Sequence, residues 1–565
     1  MRIKQGRTVV LVAVAATGLA LLASACGGGG SGKGTTTGGG STAGKTFAQL
    51  KVVWGPTDYM DPGLSYRLAS WQIFQDVYMG LVVKAHVSCQ TGDCTKILPG
   101  LAASLPTSNQ AGTDYKFTLR KGLKYSNGEP VKASDFAYTV ARDFKLNSPG
   151  LGFFANIVGI DGCEKTPTSC TPASITGITS NDQAGTIEIK LKNPESDFLY
   201  ELSIPFSALV PSSTPLTDTE NPPPAASGPY YIASYTPSRS FLLKRNPYWK
   251  KDELGMSVPN GNPDTIVGLM TPDQDRSAQL VQSGQYMYDE NLLPTTRLAA
   301  LKQNYGSQIR FWSTPSTYYW FLNESKPPFN NLKARQAVNY ATDASALVKL
   351  RGGLAIPTQN FLPPSYPQYK KINPYPYNLQ KAKQLVQESG TKGDHVDLYT
   401  EGDVDTAKSA GEYEQGVLQK LGYNVTIHEI GSANYFTIVG NQATTPTPNI
   451  GYADWFEDYP YPSDWFHILL DGDTITKTHN NNYGLVDFKD VNAKIAQLDA
   501  LPPSQAFTAQ TNAEWAAVDN ELQTKYAATV PYLNSLLTSF LSSKMDMSCD
   551  IYTDSQDDLA QMCLK

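Results

Sequence analysis

The chain has 565 residues, 41% of them hydrophobic and 17% charged, with a formal net charge of −6. That length can bury a large core and predicts roughly two to four domains. The acidic balance, with a pI near 5.5, and the lack of any Lys/Arg run exclude a nucleic-acid partner, because phosphate binding needs a dense basic face.

Arg2, Lys4 and Arg7 precede an apolar run from Val9 to Ala25 that ends in small residues before Cys26. Residues 1–26 therefore read as a signal peptide, the run being short for a membrane-spanning helix. Leu22-Ala-Ser-Ala-Cys26 resembles a bacterial lipobox, which implies a diacylglycerol on Cys26 and a protein anchored to the outer, extracytoplasmic face of the cell membrane. Residues 27–46, almost entirely Gly, Ser and Thr, have too little apolar surface to fold and predict a flexible tether with a reach of roughly 25 Å. Gly39 to Thr46 fits the phosphate-binding GxxxxGK[ST] pattern, but that loop works only between a buried strand and a helix N-terminus, and a glycine-rich linker supplies neither.

Apart from Cys26, the cysteines fall into three sequence-local pairs: Cys89 with Cys94, Cys163 with Cys170, and Cys549 with Cys563. An even count behind a signal peptide reads as disulfides. A zinc site is the competing reading, and only His86 lies near one of the pairs.

Along the body, Leu50 to Trp54 predicts a strand turned by Asp61-Pro62-Gly63. Trp71, Phe74, Val77, Tyr78 and Leu81 recur at helical spacing and predict a helix from Trp71 to Val83. From Tyr115 the pattern is strand, glycine turn, short strand, Asn-Gly turn and then a helix that Ser134 or Asp135 is suited to cap. Gly228-Pro229 predicts a turn before a strand at Tyr230 to Ile232. Arg335 to Tyr340 predicts a helix burying Ala337, Val338 and Ala341. The helix from Gln380 to Glu388 should end at Gly390, and the stretch Leu418 to Ile427 reads as helix, Gly422 stop, then strand. Short strands alternating with helices make an α/β protein.

Several of these stretches carry a resemblance. Phe117-Thr-Leu-Arg-Lys-Gly-Leu-Lys-Tyr-Ser-Asn-Gly-Glu-Pro-Val-Lys-Ala-Ser-Asp135, Gly228-Pro-Tyr230 with Lys244-Arg-Asn-Pro-Tyr-Trp249, Pro328 to Asp343, and Tyr377 to Gly390 together resemble the family 5 extracellular solute-binding proteins, the dipeptide, oligopeptide and nickel receptors of ABC importers. The resemblance implies a two-lobed, periplasmic-binding-protein-like fold with a hinge and an extra subdomain in lobe one. It implies lobe one at residues 47–312 plus 531–565, the subdomain at about 71–204, and lobe two at 313–530, with hinges near Ser313 and Pro531. It also implies a monomer that captures a peptide in the interlobe cleft and delivers it to ABC transporter permease subunits. The same scaffold can hold an oligosaccharide or a nickel chelate, and those alternatives stay open.

The stretch Gly451 to Phe466 packs seven aromatics and four carboxylates into sixteen residues without a Lys, Arg or His. Aromatic walls with fixed acids suit a cationic or amphipathic ligand. By the resemblance, Asp458 falls on the aspartate that receives a peptide's free α-amino group. Glu457, one residue away, is a second candidate, and in a strand only one of two neighbours would face the cleft. Trp455, Phe456, Tyr459, Tyr461 and Tyr59 complete the candidate ligand-binding set. Two positions depart from the family pattern: Tyr461 stands before Pro462 where an acid is usual, and Met287 stands where Asp is common. The five histidines are scattered, with no HExxH pair and no Gly-x-Ser-x-Gly elbow, so no enzyme, metal or cofactor is expected.

Overall fold

A run of apolar, aromatic and β-branched residues without regular alternation suits a strand covered on both faces, and Thr529–Leu541 is such a run. In a computed structural model that describes residues 46–109, 111–219, 221–553 and 556–565, this strand joins two groups of strands. Its first half pairs antiparallel with Ser316–Leu322, through Tyr318 with Leu533 and Phe321 with Thr529. Its second half pairs with Ile309–Ser313, through Ser313 with Leu536 and Ile309 with Phe540. Between Ser313 and Ser316 the chain thus leaves one group and enters the other, alongside the same partner strand.

On one side of this strand the order continues through Tyr288–Asp289, Phe47–Trp54, Pro263–Met270, Ser240–Arg245 and Tyr230–Thr236. On the other it runs through Ser316–Leu322, Ile450–Phe456, His395–Glu401 and Asn424–Ile430. The last two are parallel, which requires a crossover, and the helix Asp405–Leu421 supplies it. A separate four-stranded sheet is built from Thr107–Ser108, Asp114–Thr118, Thr186–Lys190 and Ile178–Asn181. The result is the mixed α/β, two-lobed architecture that the resemblance implied.

Most local expectations match the backbone. The helix Leu379–Ser389 ends at Gly390 in the left-handed region, φ 72°, and Asp405–Leu421 ends at Gly422, φ 101°, positions where a side chain would strain the backbone. The helix Leu332–Ala341 buries Ala337, Val338 and Ala341. All three expected disulfides are formed, Cys89–Cys94, Cys163–Cys170 and Cys549–Cys563.

Two expectations need correction. The helix expected over Trp71 to Val83 is Leu68–Phe74 only. Beyond it, the carbonyls of Asp76, Val77, Met79 and Leu81 accept from Tyr230, Gly228, Leu209 and Gly100, all distant in sequence, so Val77, Tyr78 and Leu81 are buried by docking and not by a helical face. The helix Ser134–Leu146 lacks a Ser134 cap; the Ser134 hydroxyl instead donates to Asp182 at 2.9 Å, while Asp135 accepts from the Lys132 amide at 2.9 Å. The signal peptide, Cys26 and all of the tether but its last residue, Thr46, lie outside the described residues. Among the described residues, no helix is long and apolar enough to cross a membrane.

Candidate ligand-binding site

The aromatic-acidic stretch divides into a strand, Ile450–Phe456, a bend over 457–462, and a helix, Ser463–Leu470. Glu457 and Asp458 follow the strand's last residue, so strict strand alternation does not orient them, and both are buried. They nonetheless diverge. Asp458 Oδ2 accepts from the Tyr66 hydroxyl at 2.5 Å, whereas the Glu457 carboxylate bonds to Tyr366. Tyr66 belongs to the loop that follows the strand Phe47–Trp54, so the Asp458 bond links the two strand groups that Thr529–Leu541 joins.

Around Asp458 the groups are few and well defined. Asp464, in the first turn of the helix, accepts from the Asp458 amide at 3.1 Å and from the Trp455 indole at 3.3 Å. The Lys84 ammonium donates to the Asp458 carbonyl at 3.2 Å. Burial pushes the Asp458 carboxyl up to about 7, against the lowering effects of the Tyr66 hydroxyl and the Lys84 charge. Asp464 is raised by burial and then by the charge on Asp458, and Tyr66 is raised by burial and by the same neighbour. Two carboxylates buried together in low-dielectric surroundings resist ionising together, and a cation placed beside them would relieve both.

Rings pack around Tyr66, the partner of Asp458. Trp455 meets Tyr66 edge-on at 6.0 Å between centroids, Tyr66 stacks on Trp71 at 5.5 Å, and Phe206 stands edge-on to Tyr66 at 5.3 Å. Tyr459 faces Phe153 at 6.2 Å. Of the other expected residues, Phe456 packs edge-on against Tyr318 at 6.0 Å, away from the Asp458 carboxylate. Tyr461 is buried against Trp515 and Phe507, with its hydroxyl on the Ala506 carbonyl at 3.3 Å. Tyr59 is 40% exposed and has no ring contact or side-chain hydrogen bond to this group. The structure thus gathers Asp458, Trp455 and Tyr459 with Asp464, another of the four carboxylates of the stretch, and adds Tyr66, Lys84, Phe153 and Phe206, none of which the sequence had marked.

The model of the bacterial extracellular solute-binding proteins, family 5, matches residues 96–477, more than half of the chain. The chain belongs to this family. Among family 5 relatives, it is 25% identical over 339 residues to a glutathione-binding protein GsiB of Escherichia coli, a match that covers 58% of this chain and 60% of that protein. The chain therefore spans less than two thirds of the length of this relative. It is 26% identical over 450 residues to the periplasmic oligopeptide-binding protein OppA of Salmonella typhimurium, covering 74% of this chain and 76% of that one. The fold is similar to that of the Helicobacter pylori periplasmic binding protein DppA in complex with the peptide STSA, with a TM-score of 0.76, 20% identity, and coverage of 92% and 98% of the two chains.

Proposed function

We propose that this family 5 protein captures peptides with a free N-terminus in the interlobe cleft and that Asp458 pairs with the terminal ammonium. The observation that carries the reading is the buried Asp458–Asp464 pair at the lobe seam, walled by Trp455, Tyr66 and Tyr459, where a cation would relieve the burial that pushes Asp458 up to about 7. A receptor that accepts varied side chains must recognise what peptides share, namely amides and terminal charges. Tyr66 bonds the same carboxylate from the opposite lobe, so an entering ammonium joins or displaces a contact that already spans the cleft. Supporting this reading are the oligopeptide-binding relative and the peptide-bound structural neighbour.

The remaining assignments belong to the same proposal. The lobes exchange chain at Ser313–Ser316 and within the strand Thr529–Leu541, the Cys26 lipid holds the mature monomer at the outer face of the membrane, and the closed form is handed to ABC permease subunits. Calorimetry with one tetrapeptide in free and N-acetylated forms tests the central claim, since acetylation removes the cation without touching the protein. Binding of the free form alone is expected. Equal binding of both forms, or binding of an oligosaccharide or nickel chelate where no peptide binds, overturns it. Replacing Cys26 by Ser should release the protein into the medium, and unchanged membrane retention would refute the anchor.

A further inference from the structure

A second acidic group lies beside the ligand pocket and takes no part in the amine reading. Glu195, Asp197 and Glu201, from the segment that leaves the four-stranded sheet, each bring a carboxylate oxygen within 4.8 Å of the others. The segment docks on the opposite lobe: the Ser463 hydroxyl donates to Asp197, and the Ser196 amide donates to the Asp499 carbonyl at 3.0 Å. Glu195 accepts from the Asn156 amide at 3.3 Å, and Asp197 also accepts from the Tyr459 hydroxyl. Glu201 is only 8% exposed, and its Oε2 has no hydrogen-bond partner among the described residues.

The charges here do not balance. Asp464 and Asp499 add to the field on Glu201, while the nearby cation, His467, is held by Asp471 at 3.1 Å and Asp499 at 3.5 Å. Burial and mutual repulsion raise Glu195 to about 8 and raise Glu201 as well. Among the described residues, a second cluster with this spacing, Asp76 with His86 and Asp558, differs in containing an imidazole bonded to Asp558 at 2.8 Å.

We propose that Glu195, Asp197 and Glu201 bind a divalent cation of the calcium class within the segment that docks on the helix Ser463–Leu470. The donor set is entirely carboxylate oxygen, which selects hard cations over zinc or copper. Oxygens on opposite sides of an ion at roughly 2.4 Å stand about 4.8 Å apart, so three within that spacing can share one calcium ion. The orphaned Glu201 oxygen gains its missing partner. The site touches Tyr459 but shares no proposed ligand group with the peptide cleft, so its failure and the failure of the peptide reading are separate results.

The mature protein, dialysed against EDTA, should be titrated with calcium and, in parallel, with terbium while tyrosine is excited, because Tyr459 contacts Asp197. Thermal midpoint and terbium luminescence are both expected to rise, with calcium displacing terbium at a Kd of about 0.1–1 mM, the range of extracellular oxygen-ligand sites. Glu201→Gln should weaken calcium at least about tenfold, with Asp197→Asn as the second variant should the first fail to fold. A wild-type protein unresponsive to about 10 mM calcium, or variants that respond as the wild type does, overturns the proposal. So does a thermal midpoint that rises on acidification but ignores calcium, which would mean that protons alone neutralise the cluster.

Discussion

The Tyr66 hydroxyl and the Asp458 carboxylate meet at 2.5 Å although 392 positions separate them in sequence. The bond joins the loop behind the strand Phe47–Trp54 to the bend that ends the strand Ile450–Phe456, and so it ties together the strand groups on the two sides of Thr529–Leu541. If Asp458 holds a ligand amine as proposed, the same carboxylate would serve both the ligand and this contact to Tyr66.

Asp458→Asn should weaken peptide binding by about 2–5 kcal/mol, roughly thirty-fold to several thousand-fold, the cost of removing one member of a desolvated charge pair. Glu457→Gln should change affinity far less, since Glu457 turns to Tyr366. Calorimetry on both variants with one peptide decides the matter, and similar losses in the two would show that the neighbouring acids act interchangeably.

Affinity should depend on pH. In the empty cleft burial holds Asp458 at about 7, above the ordinary 3.8, so a cation that needs the carboxylate must displace a proton. Below about pH 7 affinity should fall by up to tenfold per unit, and above it should level off. Stability of the empty protein runs the other way: the folded state holds the proton more tightly than the unfolded chain, so the contribution is full below pH 3.8 and is lost as pH rises through about 7. Calorimetry in buffers of different ionisation enthalpy should register proton release on binding, which Asp458→Asn abolishes.

The loop that delivers Tyr66 is itself held by a buried pair. Arg142 Nη1 donates to Asp61 Oδ1 at 2.9 Å and Nη2 to Oδ2 at 2.5 Å, with both side chains almost fully enclosed. Arg142→Leu leaves a buried carboxylate unpaired and should cost about 3–5 kcal/mol of unfolding free energy. Urea denaturation measures it, and a loss below about 1 kcal/mol, the level of a surface pair, would contradict the assignment.

Replacing Cys549 and Cys563 together by Ser should cost about 3 kcal/mol in the chain-entropy account of a loop this size. The bridge constrains a tail whose Asp557 accepts from Tyr288 at 2.6 Å and from Ser539 at 2.6 Å, so the loss should appear in urea midpoints of the whole chain. An unchanged midpoint would mean that the hydrogen bonds alone secure the tail.

Which of these features the sequence could announce follows from how local their causes are. Gly390 and Gly422 declared their helix ends because a left-handed residue is a property of one position. The stretch that holds Asp458 stood out because seven aromatics and four acids crowd it, while Asp458 itself was singled out only by what the family resemblance implies. Tyr66 was not, since a lone tyrosine in a loop carries no periodicity and its partner is supplied by the fold. The helix over Trp71 to Val83 was overextended for a related reason: apolar spacing records that Val77 and Leu81 are buried, but their carbonyls bond to segments more than fifteen residues away, which no local pattern encodes. Glu201 was silent as well, being one acid among 52 acidic residues until the fold set Asp197 and Glu195 beside it.

The position of the shared strand near the end of the chain governs the order in which the protein can assemble. Strands Ile309–Ser313 and Ser316–Leu322 are synthesised long before Thr529–Leu541, their common neighbour, and until it emerges each presents an unsatisfied hydrogen-bonding edge. Such edges recruit other chains. The nascent protein must therefore be kept from pairing with itself until that strand arrives, and a ribosome that stalls before Thr529 would leave both strand groups incomplete at once, so that loss of one late strand is felt by partners made about two hundred residues earlier.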